Sequence, residues 1–227
     1  MTSRWQNGKP EGLSGSIFLK SAEEHYFAKS VDRQFEHAFL VDTLLTAYFA
    51  YVQEHPKAHL NRLLDLLVSD GMALSALRAH RYYIILENCA SNSDKKQIFD
   101  LKPQDFFEPF RDLLPAKEGT TDLLPEDKKI RKTQKEADAL FQQLEKDVQF
   151  LASHHVIDYS LLLIRDPSDG SGDITIIDYF WSLTALRPFL SKKVGDLVRL
   201  PEMTTTATPE KYAASILQLA KDSVLIQ

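Results

Sequence analysis

The sequence predicts an α+β protein that is divided into two lobes. Strand-like runs and one long amphipathic helix fill the first third of the chain, prolines interrupt the middle, and a helix, a hairpin and a last helix follow. A chain of 227 residues is long enough to bury a core in one large domain or in two small lobes. The element order places the lobes at residues 1–87 and 88–227, with a hinge near residues 87–90.

The first lobe begins with two strand-like runs, near residues 17–20 and 25–31. A long helix is expected from about Asp32 to Glu54, where Pro56 ends it. Its apolar positions form one stripe of Leu40, Leu44, Tyr48 and Val52, widened by Val41, Leu45 and Phe49. Residues 63–68 are apolar and fit a helix or a strand, whereas β-branched and aromatic residues predict a strand over 81–87.

The second lobe begins with a short strand at residues 97–102. Four prolines between residues 103 and 129 predict turns and short pieces. A helix is expected over 133–153, and residues 187–206 have no clear period and predict a loop. Thr208 followed by Pro209 is typical of the start of a helix, here the last one.

Residues 156–179 form the most informative segment. Two β-branched and leucine-rich runs flank a turn rich in Pro, Ser, Asp and Gly, which predicts a β-hairpin. Asp158 and Asp178 then lie at the same end of the ribbon, within roughly 10 Å of each other at the usual rise per residue. One carboxylate that accepts a hydroxyl proton and a second that holds Mg²⁺ suit phosphoryl transfer from ATP. The alternative is a hairpin with two solvated acidic ends.

Other parts of the chain occur in the order expected for a two-lobed kinase. Gly12, Ser14, Gly15 and Ser16 form a small-residue turn that a polyphosphate could approach closely. Lys29 follows in a strand-like run and Glu36 lies early in the long helix, as a phosphate-binding lysine and its helix glutamate do in kinases. A common glycine-serine turn and a solvated strand lysine are the alternatives. The hairpin contains neither His-Arg-Asp nor Asp-Phe-Gly, so an ordinary protein kinase is excluded.

These motifs resemble those of phosphatidylinositol phosphate kinases. Residues 157–162 (Ile-Asp-Tyr-Ser-Leu-Leu) and 176–178 (Ile-Ile-Asp) are similar to two signatures of that family. Weaker matches are the Ser-Gly-Ser loop at residue 14, Asp-Leu-Lys at residue 100 and Pro-Glu-Lys-Tyr at residue 209. The hairpin is most similar to the branch that phosphorylates phosphatidylinositol 3-phosphate, which would make this chain a compact member.

The resemblance implies a role for each matching residue, with ATP and Mg²⁺ as cofactors. Asp158 would be the catalytic aspartate, Asp178 the metal ligand, and Lys29 the phosphate contact paired with Glu36. Lys102 would reach a phosphate from the sheet. Two further sets are implied: Glu87, Asn88 and Cys89 at the adenine, and Arg187, Lys192, Lys193 and Arg199 on the substrate loop. All of these parts would serve one kinase domain, with Asp158 and Asp178 sharing a cleft with Lys29.

Two departures from the family pattern matter for function. Pro103 and Gln104 stand where the family has glycine and serine, and Arg187 and Pro188 stand where it has paired lysines. They leave three interpretations open. The chain is a phosphatidylinositol phosphate kinase, a soluble inositol phosphate kinase of the same fold, or a pseudokinase that serves as a binding or scaffold module.

Composition limits the partners and the location. The net charge of −5 does not suit a nucleic-acid binder, so we expect no nucleic acid partner. The single cysteine, Cys89, suits a reducing compartment, and no apolar run is long enough to span a membrane. We therefore expect a cytoplasmic protein whose basic substrate loop makes a peripheral contact with membranes.

Overall fold

The computed structural model describes residues 5–7, 17–31, 34–68, 82–91, 95–103, 120–121, 124–182 and 208–227. Contacts divide the chain into two compact units, Met1–Ala38 with Asn61–Ser93 and Phe39–Leu60 with Asp94–Gln227. This division differs from the predicted boundary at residue 87, because residues from Phe39 to Leu60 make their contacts with the second unit. The assignment of 1–87 and 88–227 to kinase lobes stays a prediction.

The first unit contains a five-stranded antiparallel sheet in the order β1-β2-β3-β5-β4. Its strands are β1 (Trp5–Asn7), β2 (Phe18–Ser21), β3 (Tyr26–Ser30), β4 (Leu63–Val68) and β5 (Tyr82–Glu87). The apolar run at 63–68, which its period left open, is thus a strand. One face of the sheet buries Leu19, Ala28, Tyr83 and Ile85.

The predicted long helix is confirmed, with one irregularity. It consists of α1 (Gln34–Phe39), a π-helical segment (Leu40–Leu44) and α2 (Leu45–Glu54). Leu40, Leu44 and Tyr48 are buried as expected, but Val41 and Phe49 are 36% and 42% exposed. The apolar stripe is narrower than predicted, because a π-helical turn breaks the uniform 3.6-residue spacing on which that prediction relied.

The second unit is built on a four-stranded sheet in the order β10-β9-β6-β7. The strands are β6 (Gln97–Leu101), β7 (Thr120–Thr121), β9 (Ser160–Arg165) and β10 (Gly172–Ile177). A separate pair joins β8 (Ile130–Lys132) to β11 (Val224–Ile226). The predicted mixture of helices and antiparallel sheets is confirmed, although the β6–β7 and β8–β11 pairs are parallel.

Two helices pack against each other in this unit, α3 (Gln134–Ser153) and α4 (Pro209–Asp222). Both begin as capped helices. Thr208 accepts a hydrogen bond from the Lys211 amide, and Thr133 forms a capping box with Glu136. Among the helices of the described ranges, none combines the length and the apolar character of a membrane span.

The turn end of the hairpin is packed closely against β8. A Cβ added to Gly172 would collide with the Ile130 side chain and with the carbonyl oxygen of Ile164. Gly170 has φ +79°, and an added Cβ would lie 2.9 Å from Cδ of Arg131. The Arg131 amide donates a hydrogen bond of 2.8 Å to the Gly170 carbonyl. Both positions therefore require a residue without a side chain.

The capping box gives a prediction about stability. Thr133→Ala removes the cap of α3 and should lower the free energy of unfolding by about 1 kcal/mol. Thr46 is exposed inside α2, where alanine favours the helix, so Thr46→Ala should raise that free energy by about 0.5 kcal/mol. Urea unfolding followed by circular dichroism measures both variants, and a Thr133→Ala protein as stable as the wild type would contradict the assigned cap.

Candidate active site

The strand register brings Asp158 and Asp178 to the same end of the hairpin. β9 and β10 are antiparallel, and their last pair at that end is Ser160 with Ile177. Asp178 follows this pair directly, and Asp158 precedes it by two residues. The predicted hairpin is thus confirmed, with its turn over residues 166–171.

Both aspartates interrupt the ribbon in a left-handed backbone conformation. Their φ angles are 66° at Asp158 and 61° at Asp178, a region that non-glycine residues rarely adopt. Pairing resumes beyond them, because the Ile157 amide donates to the Trp181 carbonyl at 3.0 Å and Val156 bridges to Ser182. The aspartates therefore lie in a short gap with paired backbone on both sides. Strained residues held in this way are common at functional sites.

Lys102 lies against Asp158. Its ammonium nitrogen is 2.7 Å from the Asp158 carboxylate oxygen Oδ1 and donates a hydrogen bond of 2.7 Å to the Asp158 carbonyl. The lysine side chain is 12% exposed and the aspartate 25%, so water screens this ion pair poorly. The cause is the pairing of β6 with β9, which sets Leu101 opposite Leu161 and places the next residue, Lys102, near Asp158. Sequence reasoning named Lys102 but not this contact.

Buried tyrosines follow both aspartates. Tyr159 and Tyr179 are completely buried. The Tyr212 hydroxyl on α4 donates a hydrogen bond of 2.6 Å to the Tyr159 carbonyl, and the Tyr179 ring stacks on Tyr48 at a centroid distance of 5.9 Å. Each aspartate is therefore attached to a residue that the core holds in place.

The carboxylate of Asp178 has the chemistry of a magnesium ligand. In the part of the chain that the structure describes, no group of three or more His, Cys, Asp or Glu residues is arranged to hold a metal ion. Magnesium in kinases is bound by one or two carboxylates together with substrate phosphates, so a complete protein cage is not required. The exposed Asp178, at the same end of the hairpin as Asp158, has the oxygen chemistry of such a ligand.

Lys29 and Glu36 belong to the first unit. Lys29 lies in β3, opposite Phe18 of β2 and Ile84 of β5, as the strand prediction required. Its ammonium nitrogen is 5.3 Å from the centroid of the Phe18 ring, within the range of a cation–π contact. Glu36 is half-buried in α1. Their roles toward ATP stay predictions.

Asn88, in the segment predicted to line an adenine pocket, stabilises the fold of the first unit. Asn88 is buried, its side-chain amide donates to the Glu24 carbonyl at 2.6 Å, and its backbone amide donates to the His25 carbonyl. Asn88 thus holds the turn between β2 and β3.

Burial, more than any other cause, raises the pKa of the Cys89 thiol, and the negative charge of Glu87 adds to this effect. The Cys89 thiol is therefore kept in its neutral form and behaves as a small apolar side chain.

Two predicted sets fall outside the described residues. They are the turn of Gly12, Ser14, Gly15 and Ser16, and the substrate loop of Arg187, Lys192, Lys193 and Arg199. Of the described site residues, Lys102, Asp158 and Asp178 belong to the second unit, whereas the first unit contains Lys29, Glu36, Glu87, Asn88 and Cys89.

Comparison with known proteins decides the family. The sequence profile described as phosphatidylinositol-4-phosphate 5-kinase matches residues 2–173, which is more than half of the chain. The chain belongs to this family. The matched segment includes the 157–162 signature with Asp158 and ends before the 176–178 signature with Asp178. The predicted family is confirmed, and the roles of the individual site residues stay predictions.

Two curated relatives represent the predicted branch of the family. The chain is 25% identical to the human 1-phosphatidylinositol 3-phosphate 5-kinase over 226 residues and 24% identical to the mouse protein of that name. Each alignment covers 93% of this chain but 10% of the relative. The chain therefore spans about a tenth of the length of these relatives. The similarity alone does not assign the activity of the whole relatives to this chain.

The tyrosines beside Asp158 give a matched pair of stability predictions. The Tyr159 hydroxyl is buried without a hydrogen-bond partner among the described residues, and burial raises the pKa of this phenol. Tyr159→Phe removes an unsatisfied polar group and should raise the free energy of unfolding by about 1 kcal/mol.

The control is the neighbouring ring. Tyr212→Phe removes a hydroxyl that donates to the Tyr159 carbonyl, so it should lower the free energy of unfolding by about 1 kcal/mol. Denaturant titration measures both variants. Opposite signs are expected, and a destabilised Tyr159→Phe protein would show that its hydroxyl has a partner.

Proposed function

We propose that the chain is an ATP- and Mg²⁺-dependent kinase that transfers a phosphoryl group to an inositol hydroxyl of a phosphatidylinositol phosphate. The observation that carries the proposal is the constrained carboxylate of Asp158, paired with Lys102 and placed at the same end of a hairpin as Asp178. The family and the name of the curated relatives support a phosphoinositide as the acceptor.

In this proposal residues of the second unit act on the inositol hydroxyl that accepts the phosphoryl group and bind the metal ion. Asp158 orients the inositol hydroxyl and accepts its proton as the hydroxyl oxygen bonds to the γ-phosphorus of ATP. The bond from that phosphorus to the oxygen shared with the β-phosphate breaks, and ADP leaves. The Lys102 ammonium fixes the Asp158 carboxylate and adds positive charge where a phosphate oxygen becomes more negative. Asp178 binds Mg²⁺, which neutralises charge on the phosphates of ATP.

The first unit provides the contacts with the nucleotide. Lys29 holds the ATP phosphates and pairs with Glu36, and Gly12, Ser14, Gly15 and Ser16 contact the same phosphates. The segment from Glu87 to Cys89 lines the adenine. The basic residues Arg187, Lys192, Lys193 and Arg199 attract an anionic lipid surface and give a peripheral membrane contact. Under this proposal the lobes of the kinase are those predicted from the sequence, residues 1–87 and 88–227.

The first test is the loss of transfer in Asp158→Asn. Asparagine tolerates the left-handed conformation as aspartate does, so this change removes the charge and retains the backbone. We expect the wild type to transfer phosphate from radiolabelled ATP and the variant to be slower by about 100-fold or more.

The matched control is Asp169→Asn, at the opposite end of the same hairpin. Asp169 accepts a hydrogen bond from the Ser171 amide, which an asparagine oxygen also accepts. This variant should retain the wild-type rate. A wild type that transfers phosphate to no inositol acceptor would reject a kinase function and favour the pseudokinase interpretation, which the Pro103 and Gln104 departures motivate.

The second test identifies the class of acceptor, because the net charge of −5 also suits a soluble inositol phosphate. We expect faster transfer to phosphoinositides in liposomes than to the same headgroups free in solution. Binding to those liposomes should weaken as salt is added, since each basic residue near an anionic surface contributes about 1 kcal/mol. Equal rates on free headgroups without lipid would assign the soluble substrate instead.

A further inference from the structure

Asp147 is a buried carboxylate on α3 that neither the motifs nor the proposed mechanism uses. It is completely buried, and both of its oxygens accept hydrogen bonds. Oδ1 accepts from the Tyr51 hydroxyl at 2.6 Å and from Nε2 of Gln143 at 2.8 Å, and Oδ2 accepts from the His59 amide at 2.7 Å. A buried carboxylate is costly unless it is hydrogen-bonded in this way, so the three donors indicate a built site.

His59 connects this carboxylate to the hairpin. Its carbonyl accepts a hydrogen bond of 2.7 Å from the Ile176 amide, and its ring nitrogen Nδ1 lies 3.0 Å from the Ile174 carbonyl. Because a carbonyl only accepts, Nδ1 carries the proton of that bond. Leu60 then forms a parallel bridge with Ile176. The segment 59–60 therefore covers the edge of β10 that does not face β9.

The contact lies close to the proposed metal ligand. Ile176 and Asp178 have one residue between them, and Asp178 follows the end of β10. β10 is the edge strand of its sheet, held by β9 on one side and by His59 on the other. Asp147 fixes the His59 amide, and through His59 it fixes the backbone that leads into Asp178.

We propose that Asp147 is a positioning residue for Asp178. This role rests on the proposed function, in which Asp178 binds the magnesium of ATP. Asp147 touches neither substrate nor metal; it holds His59 in register with β10, and this register sets where the Asp178 carboxylate lies. Loss of the carboxylate should loosen the edge of β10 and weaken the use of magnesium.

The experiment compares two variants of one hydrogen-bond network. Asp147→Ala removes the acceptor of the His59 amide, whereas Tyr51→Phe removes a different donor to Asp147 and retains the His59 bond. Hydrogen exchange at the Ile176 amide reports the contact with His59 without any turnover. We expect exchange about tenfold faster in Asp147→Ala and unchanged in Tyr51→Phe.

The second readout is the magnesium requirement for transfer. In Asp147→Ala the magnesium concentration that gives half the maximal rate should rise about tenfold, because the loss of a residue that positions a metal ligand weakens metal binding by about this factor. The value of kcat should be restored at saturating magnesium. Tyr51→Phe should keep the wild-type requirement. If Asp147→Ala does not fold, Asp147→Leu replaces it, because leucine has a similar branched shape and also removes the acceptor of the His59 amide. It should shift both readouts in the same direction.

The outcomes separate this proposal from the proposed function. An active wild type whose magnesium requirement is the same in Asp147→Ala, or shifts equally in Tyr51→Phe, would overturn the positioning role and leave Asp147 as a stabilising residue. Unchanged exchange at Ile176 would overturn the link through His59. A wild type that transfers no phosphate, with faster Ile176 exchange in Asp147→Ala, would reject the kinase function and support only the structural link.

Discussion

The pairing of β9 with β6 on one side and β10 on the other is the constraint on which the site depends. The first pairing places Lys102 beside Asp158, and the second places Asp178 at the same end of the hairpin. Side chains alternate between the two faces of a strand, so a slip of one residue in either pairing would turn them to the wrong face. β9 is buried along most of its length, and this burial keeps the register unique.

The unfavourable free energy of the strained and poorly hydrated groups at the site is offset by the packing around them. Two left-handed aspartates and a poorly hydrated ion pair are each unfavourable in isolation. Completely buried tyrosines follow both aspartates, and paired backbone lies on both sides of the gap that contains them. The backbone that carries both aspartates is therefore held in place by the core, as the preorganised site of the proposed mechanism requires.

Sequence reasoning succeeded where the signals are local. The hairpin turn, the cap at Thr208 and the long helix each depend on neighbouring residues, and each is present. The contact between Lys102 and Asp158 joins residues that are 56 positions apart and depends on the order of the strands, which no local pattern contains. Asp147 was missed because a charged residue in an amphipathic helix is normally solvated, and its donors Tyr51 and His59 come from a distant segment. The π-helical segment and the parallel pairing of β8 with β11 carry no comparable sequence signal.

The absence of a side chain at Gly172 affects the position of β11. It lets β8 lie directly on the hairpin, and β8 in turn is the strand with which β11 pairs. A single extra methyl group at residue 172 would push Ile130 away, and Ile130 is also the residue that opposes Val224. The position of β11 therefore depends on a glycine in the hairpin, and a larger residue at position 172 would disturb the pairing of β11 with β8.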